Sequence, residues 1–112
     1  MSKRSKACEF DIKARARIKA RDKGCIFCNL RYMLPPEPNI FTRRYQIMHF
    51  IPRSQGGLGI PENGAVGCVY HHTMMDNDRD GLRDDMLLIL ETYLRARCKD
   101  WDKSKLVYDK WT

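Results

Sequence analysis

The residues best suited to chemistry are five cysteines and three histidines in a chain of 112. Four of these eight form two pairs, Cys25-x2-Cys28 and Cys68-x2-His71, separated by 39 residues. A C-x2-C turn sets two thiolates on one side of an ion, and a second pair can complete the tetrahedron that Zn2+ requires. The pairs therefore predict a structural zinc site of Cys25, Cys28, Cys68 and His71. The other readings are a redox CxxC or buried, inert thiols. Redox chemistry usually sets CxxC beside a βαβ pattern, which this sequence lacks. The spacer is longer than in a zinc ribbon, so the ion would staple the base of a larger unit. Cys8 and Cys98 have no partner at ligand spacing and are read as bystanders.

The remaining histidines frame the segment between the pairs. His49 ends a strand-like run, just before the turn Pro52-Arg53-Ser54-Gln55-Gly56-Gly57. Asn63 lies at the far end of that turn. His72 stands at the start of the next helix, with Asp76 one turn later on the same face. Taken singly, each has a bland reading: a satisfied strand histidine, a turn asparagine, a solvent-facing acid among Asp78 and Asp80. Taken in order, they read strand histidine, loop asparagine, helix histidine.

That order, within MHFIPRSQGGLGIPENGAVGCVYHH (48–72), resembles the core of the HNH (ββα-metal) endonucleases. The likeness is greatest to the small zinc-stapled members carried by bacteriophages and prophages, and it takes in CIFC and the basic stretch upstream, roughly residues 10–95. The resemblance implies an α+β chain with a small HNH ββα-metal fold. It also implies roles. His49 would be the general base that deprotonates the attacking water. Asn63 would hold the loop and help orient His49. His72 would bind a catalytic divalent ion, Mg2+ or Mn2+, with Asp76 as second ligand. One position departs from the pattern. Met48 stands where Asp or His often binds the metal, and a thioether is too soft to hold Mg2+ or Mn2+. Either the ion relies on His72, Asp76, phosphate oxygens and water, or the site is weakened. An exchange of the roles of His71 and His72 is the alternative to the zinc spacing given above.

The elements that must position these residues follow from pattern. Ile12, Ala14, Ala16, Ile18 and Ala20 alternate with charges like a strand, yet Ala, Lys and Arg are helix formers. The expectation is a basic helix ended by Gly24 in the left-handed conformation. Residues 29–34 suggest one or two short strands, 45–51 and 65–69 two more, and 52–63 a glycine-rich turn. A helix should begin near Tyr70. Leu82, Met86, Leu87, Leu90, Tyr93 and Leu94 have helical spacing, so 82–98 reads as an amphipathic packing helix. The organisation is then a flexible basic N-terminus, 1–9, and a single domain, 10–112. Within it, a zinc-stapled core of about 25–80 precedes the packing helix and a tail, 99–112, whose tryptophans fold back onto the body.

Charge is uneven. The chain carries +7 overall, yet residues 1–24 hold nine basic and three acidic residues. A basic arm suits a polyanion, most often nucleic acid, or serves as a solubilising tail. The phosphate-contact candidates are Arg53 beside the base, Arg43 and Arg44 before the strand, and Arg15, Arg17, Lys19 and Arg21 on the N-terminal helix. Without a helix rich in base-reading side chains, the expected partner is double-stranded DNA read with weak sequence preference. No apolar run could span a bilayer and no signal peptide is evident, so a cytoplasmic location is expected, in a bacterial host as the resemblance implies, and a membrane partner is not. The leading function is a metal-dependent DNA endonuclease; the resemblance associates it with phage genome packaging or restriction-like defence. The alternatives are a non-catalytic zinc-stapled nucleic-acid-binding module and, remotely, a thiol redox protein. Oligomeric state is not legible.

Overall fold

The computed structural model describes residues 2–109. In it the chain is α+β, with helices α1 (Lys3–Ala7), α2 (Ile12–Asp22), α3 (Ile26–Asn29), α4 (Ile40–Arg43), α5 (Val69–Asp76) and α6 (Arg83–Arg97). Strands β1 (Tyr45–His49) and β2 (Gly64–Cys68) pair antiparallel, with Tyr45 opposite Cys68 and His49 opposite Gly64. Helix α5 starts where β2 ends and packs on both strands.

The pleat gives the sheet two faces. Ile47 and Val66 turn to α2, where they join Phe10, Ala14 and Ile18 in a small cluster. Met48 and Ala65 turn the other way, into the main core with Met74, Met75, Met86, Leu90 and Leu94. The helix α6 buries Met86, Leu90 and Leu94 at i, i+4 spacing, as the sequence leads one to expect. Trp101 folds back edge-on to Phe50, centroids 5.9 Å apart, and its indole N–H donates to the Glu62 carbonyl. Trp111 lies outside the described residues.

Buried Asp22 ties three elements together. Its carboxylate accepts from the Val66 amide of β2 at 2.8 Å and from the Tyr93 hydroxyl of α6 at 2.6 Å. It also pairs with Arg21 at 2.6 Å.

Two local expectations are corrected. The helix α2 ends on Lys23 in the left-handed conformation (φ 54°), not on Gly24. Residues 29–34 form no strand, because α3 fills the start of the segment and Arg31 (φ 58°) and Met33 (φ 42°) turn the chain left-handed after it. Within the segment read as a flexible N-terminus, the described residues 2–9 carry structure. Lys3–Ala7 is helical, Ser2 caps it, and Cys8 is buried. No described helix is long and apolar enough to cross a membrane.

Candidate functional site

Two turns of similar design bring the first constellation together. Cys25 and Cys68 each occupy the N-cap of a helix, α3 and α5, and each sulfur accepts from the amide three residues on. That geometry aims the side chains at positions N-cap and N3 to one side. Cys25, Cys28, Cys68 and His71 consequently point at a common centre, their ligand atoms all within 4.8 Å of one another. The Cys28 and Cys68 sulfurs are 3.7 Å apart, and His71 Nδ1 lies 3.3–3.7 Å from the three sulfurs. A tetrahedron with arms of about 2.3 Å to sulfur and about 2.0 Å to nitrogen has edges of about 3.5–3.8 Å. The spacing fits a metal ion and is far from disulfide length.

The chemistry of the set points the same way. Crowding three thiols lets them share little negative charge. A hydrogen bond with Cys68 holds Cys25 down to about 3, while burial and the Cys25 charge push Cys28 up to about 11, and Cys68 is raised as well. A dication would let all three ionise. His71 is completely buried, and its Nε2 donates to the Tyr32 carbonyl at 2.7 Å, which leaves Nδ1 for the ion. His72 takes no part, so the Cys68-x2-His71 spacing is the one realised.

The second constellation lines a cleft of about 790 Å3 along β1 and α5. His49, Arg53, His72 and Asp76 all face it. The His49 Nε2 lies 2.8 Å from the Cys8 carbonyl, an acceptor, so Nε2 carries the proton and Nδ1 keeps its lone pair. Burial lowers the His49 pKa from the ordinary 6.5, against the raising effect of the Cys8 carbonyl; Arg53 and His72 lower it further. On α5, His72 Nε2 stands 3.3 Å from an Asp76 oxygen, and its Nδ1 is 2.6 Å from Gln46 Oε1. With Nδ1–H donating to Gln46, Nε2 and the carboxylate oxygen form a two-atom donor set that a divalent cation could share. Met48 is not a lining residue. Its side chain is fully buried in the core against Gly67, where a Cβ would come within 2.4 Å of its sulfur.

Asn63 sits beneath the cleft rather than in it. The side chain is fully buried, accepts from the Ile51 amide at 2.8 Å, and donates to the Ile51 and Leu58 carbonyls. All its capacity goes into closing the 51–58 loop, while its own carbonyl accepts from Phe50 N, next to His49.

The basic residues divide. Arg53 is exposed in the cleft. Arg15 and Lys19, one turn apart on α2, line a neighbouring groove with Gln46 and Ile47. Arg17 is on another side of α2, beside Gly59 and Pro61. Arg43 and Arg44 are exposed but do not line the cleft. Arg21 is corrected. Its guanidinium is spent on Asp22 and on the carbonyls of Pro61 and Gly64, so it braces the fold instead of facing solvent. Sequence reading missed Gln46, Gln55, Arg83 and Lys103. Arg83 lines the cleft while binding the carbonyls of Met75 and Asp76, and Lys103 approaches Glu91 at 3.8 Å. None of the four had a spacing signal: Gln46, three residues before His49 on β1, has its side chain on the opposite face of the strand.

Comparison with family models, with curated proteins and with solved structures returned no match to this chain.

Proposed function

We propose that the protein is a metal-dependent HNH endonuclease that hydrolyses phosphodiester bonds in DNA, with a structural Zn2+ at Cys25, Cys28, Cys68 and His71. The observation that carries this reading is the convergence of His49, His72 and Asp76 on one cleft. A strand histidine whose free nitrogen is Nδ1 stands there with a histidine–carboxylate pair on the following helix. The order of elements, strand, loop, strand, helix, is the one the sequence resemblance implies.

In this reading His49 Nδ1 takes a proton from a water molecule as its oxygen attacks phosphorus. The bond from phosphorus to one ester oxygen breaks, and that oxygen leaves with a proton from solvent. His72 and Asp76 would hold Mg2+ or Mn2+, which supplies charge stabilisation to the phosphorus oxygens when bound. Asn63 keeps the 51–58 loop closed under the base. Arg53, Arg15 and Lys19 would contact backbone phosphates of duplex DNA, giving affinity without sequence information.

Supercoiled plasmid incubated with Mg2+ or Mn2+ tests it. Nicking should require the ion and should fall about 100-fold or more in His49→Ala. A second reading is favoured by Met48, whose burial leaves the cleft without the ligand often found before the catalytic histidine. On that reading the protein is a zinc-stapled DNA-binding module, and the plasmid would be shifted in a gel but remain uncut with every metal tried.

A further inference from the structure

The N-terminal segment is the least expected neighbour of the cleft. The contact to His49 Nε2 comes from the carbonyl of Cys8, 41 residues earlier in the chain. The Phe10 ring lies against the His49 imidazole, centroids 4.4 Å apart. Three further contacts seat this segment. The Gly59 amide donates to the Ala7 carbonyl at 3.0 Å. Arg4 donates to the carbonyls of Arg53 and Ser54, at 3.3 and 3.2 Å. Two glycines facing the segment leave no room for a side chain. A Cβ on Gly59 would come within 2.1 Å of the Glu9 carbonyl oxygen, and one on Gly64 within 2.5 Å of the Phe10 ring.

We propose that residues 4–10 are a positioning element for His49: the segment docks against the glycine-rich turn so that the Cys8 carbonyl fixes the ring proton on Nε2 and presents Nδ1 to the cleft. The inference rests on the nuclease reading for its catalytic meaning but not for its geometry. A loose basic arm would bind phosphate and leave His49 free to rotate. A docked one ties the base to the same turn that carries Arg53. Cys8 acts through its backbone carbonyl, and the determinants of docking are Gly59, Phe10 and Arg4.

The test uses full-length, zinc-loaded protein and proton–nitrogen NMR. A hydrogen-bonded, solvent-protected His49 Nε2–H gives a ring cross-peak, assigned by its loss in His49→Ala. It should be present in the wild type and lost in Gly59→Ala while the amide signals of α5 and α6 persist. Arg4→Ala, an exposed substitution, keeps the test decisive if Gly59→Ala does not fold: exchange of the same proton should quicken about tenfold. In plasmid nicking, Gly59→Ala should lower kcat by about 100-fold with KM little changed. A wild-type proton on Nδ1, an unprotected Nε2–H, or a cross-peak indifferent to both substitutions would overturn the proposal. If the cross-peak behaves as stated but no plasmid is cut, the docking stands and the nuclease reading fails.

Discussion

The histidine at the cleft is part-buried, and its environment favours the neutral ring. Burial, Arg53 and His72 together outweigh the Cys8 carbonyl, so the His49 pKa falls below 6.5. In the proposed nuclease role the base form is the neutral one, and a lowered pKa preserves it to lower pH. The acid limb of kcat/KM against pH should therefore lie below 6.5; a limb at or above that value would contradict the environment described. Asn63 permits a second prediction at this scale. Alanine there would leave the part-buried Ile51 amide and the Ile51 and Leu58 carbonyls without their partner. At about 1–3 kcal/mol for each stranded group if fully buried, and less for these part-buried ones that water can reach, Asn63→Ala should cost about 3 kcal/mol in urea unfolding. Both histidine partners, Cys8 and Gln46, were invisible in sequence because backbone carbonyls and long-range amides leave no spacing signature.

At the scale of elements, β2 is a strand made of small residues because large ones face it. Gly67 admits the Met48 side chain, with a Cβ position only 2.4 Å from its sulfur. Gly67→Ala should force Met48 from its place in a filled core and cost about 1–3 kcal/mol, read as a lowered urea midpoint with the denaturant dependence unchanged. The element that sequence patterns left ambiguous was α2. Alternation over Ile12 to Ala20 suggested a strand, yet Ala14, Ile18 and Asp22 are the buried set, four residues apart, while Ile12 is 86% exposed. Helix propensity outweighed an alternation that half-coincides with a basic helix face. The α6 period was unambiguous, since one stripe of leucine and methionine meets one core. Residues 29–34 failed for a different reason. Left-handed turns at Arg31 and Met33 use residues that rarely adopt them, so composition gave no warning.

For the whole molecule, the candidate metal centre joins two segments far apart in the chain, both packed into the main core. Cys25 and Cys28 lie on the α3 turn and Cys68 and His71 on the start of α5, so an ion there closes a long loop between them. Purified protein should contain one equivalent of zinc, and Cys28→Ser should contain little. Chelation should abolish or strongly lower the cooperative thermal transition, because binding energy at such a site is folding energy. The surface charge supports a further prediction. If Arg53, Arg15 and Lys19 each neutralise a phosphate, DNA affinity should fall with salt at a log–log slope of about −3, and Arg15→Ala with Lys19→Ala should reduce it by about 2. Arg17→Ala, on another side of α2, should leave the slope nearly unchanged.

Sequence alone determined the residues that gather at the candidate metal centre, since ligand type and x2 spacing are local properties of a turn. It also determined the order of strand, loop, strand and helix around His49, Asn63 and His72, because hydrophobic period and glycine placement are written along the chain. Only tertiary structure decided what depends on distant segments meeting. It sent Met48 into the core and set Arg21 to bracing Asp22 and two loop carbonyls rather than facing solvent. It placed Arg83 and Lys103 in the cleft beside residues from other elements. It docked the N-terminal segment on His49, where a buried backbone carbonyl needs a donor and two glycines leave room for it.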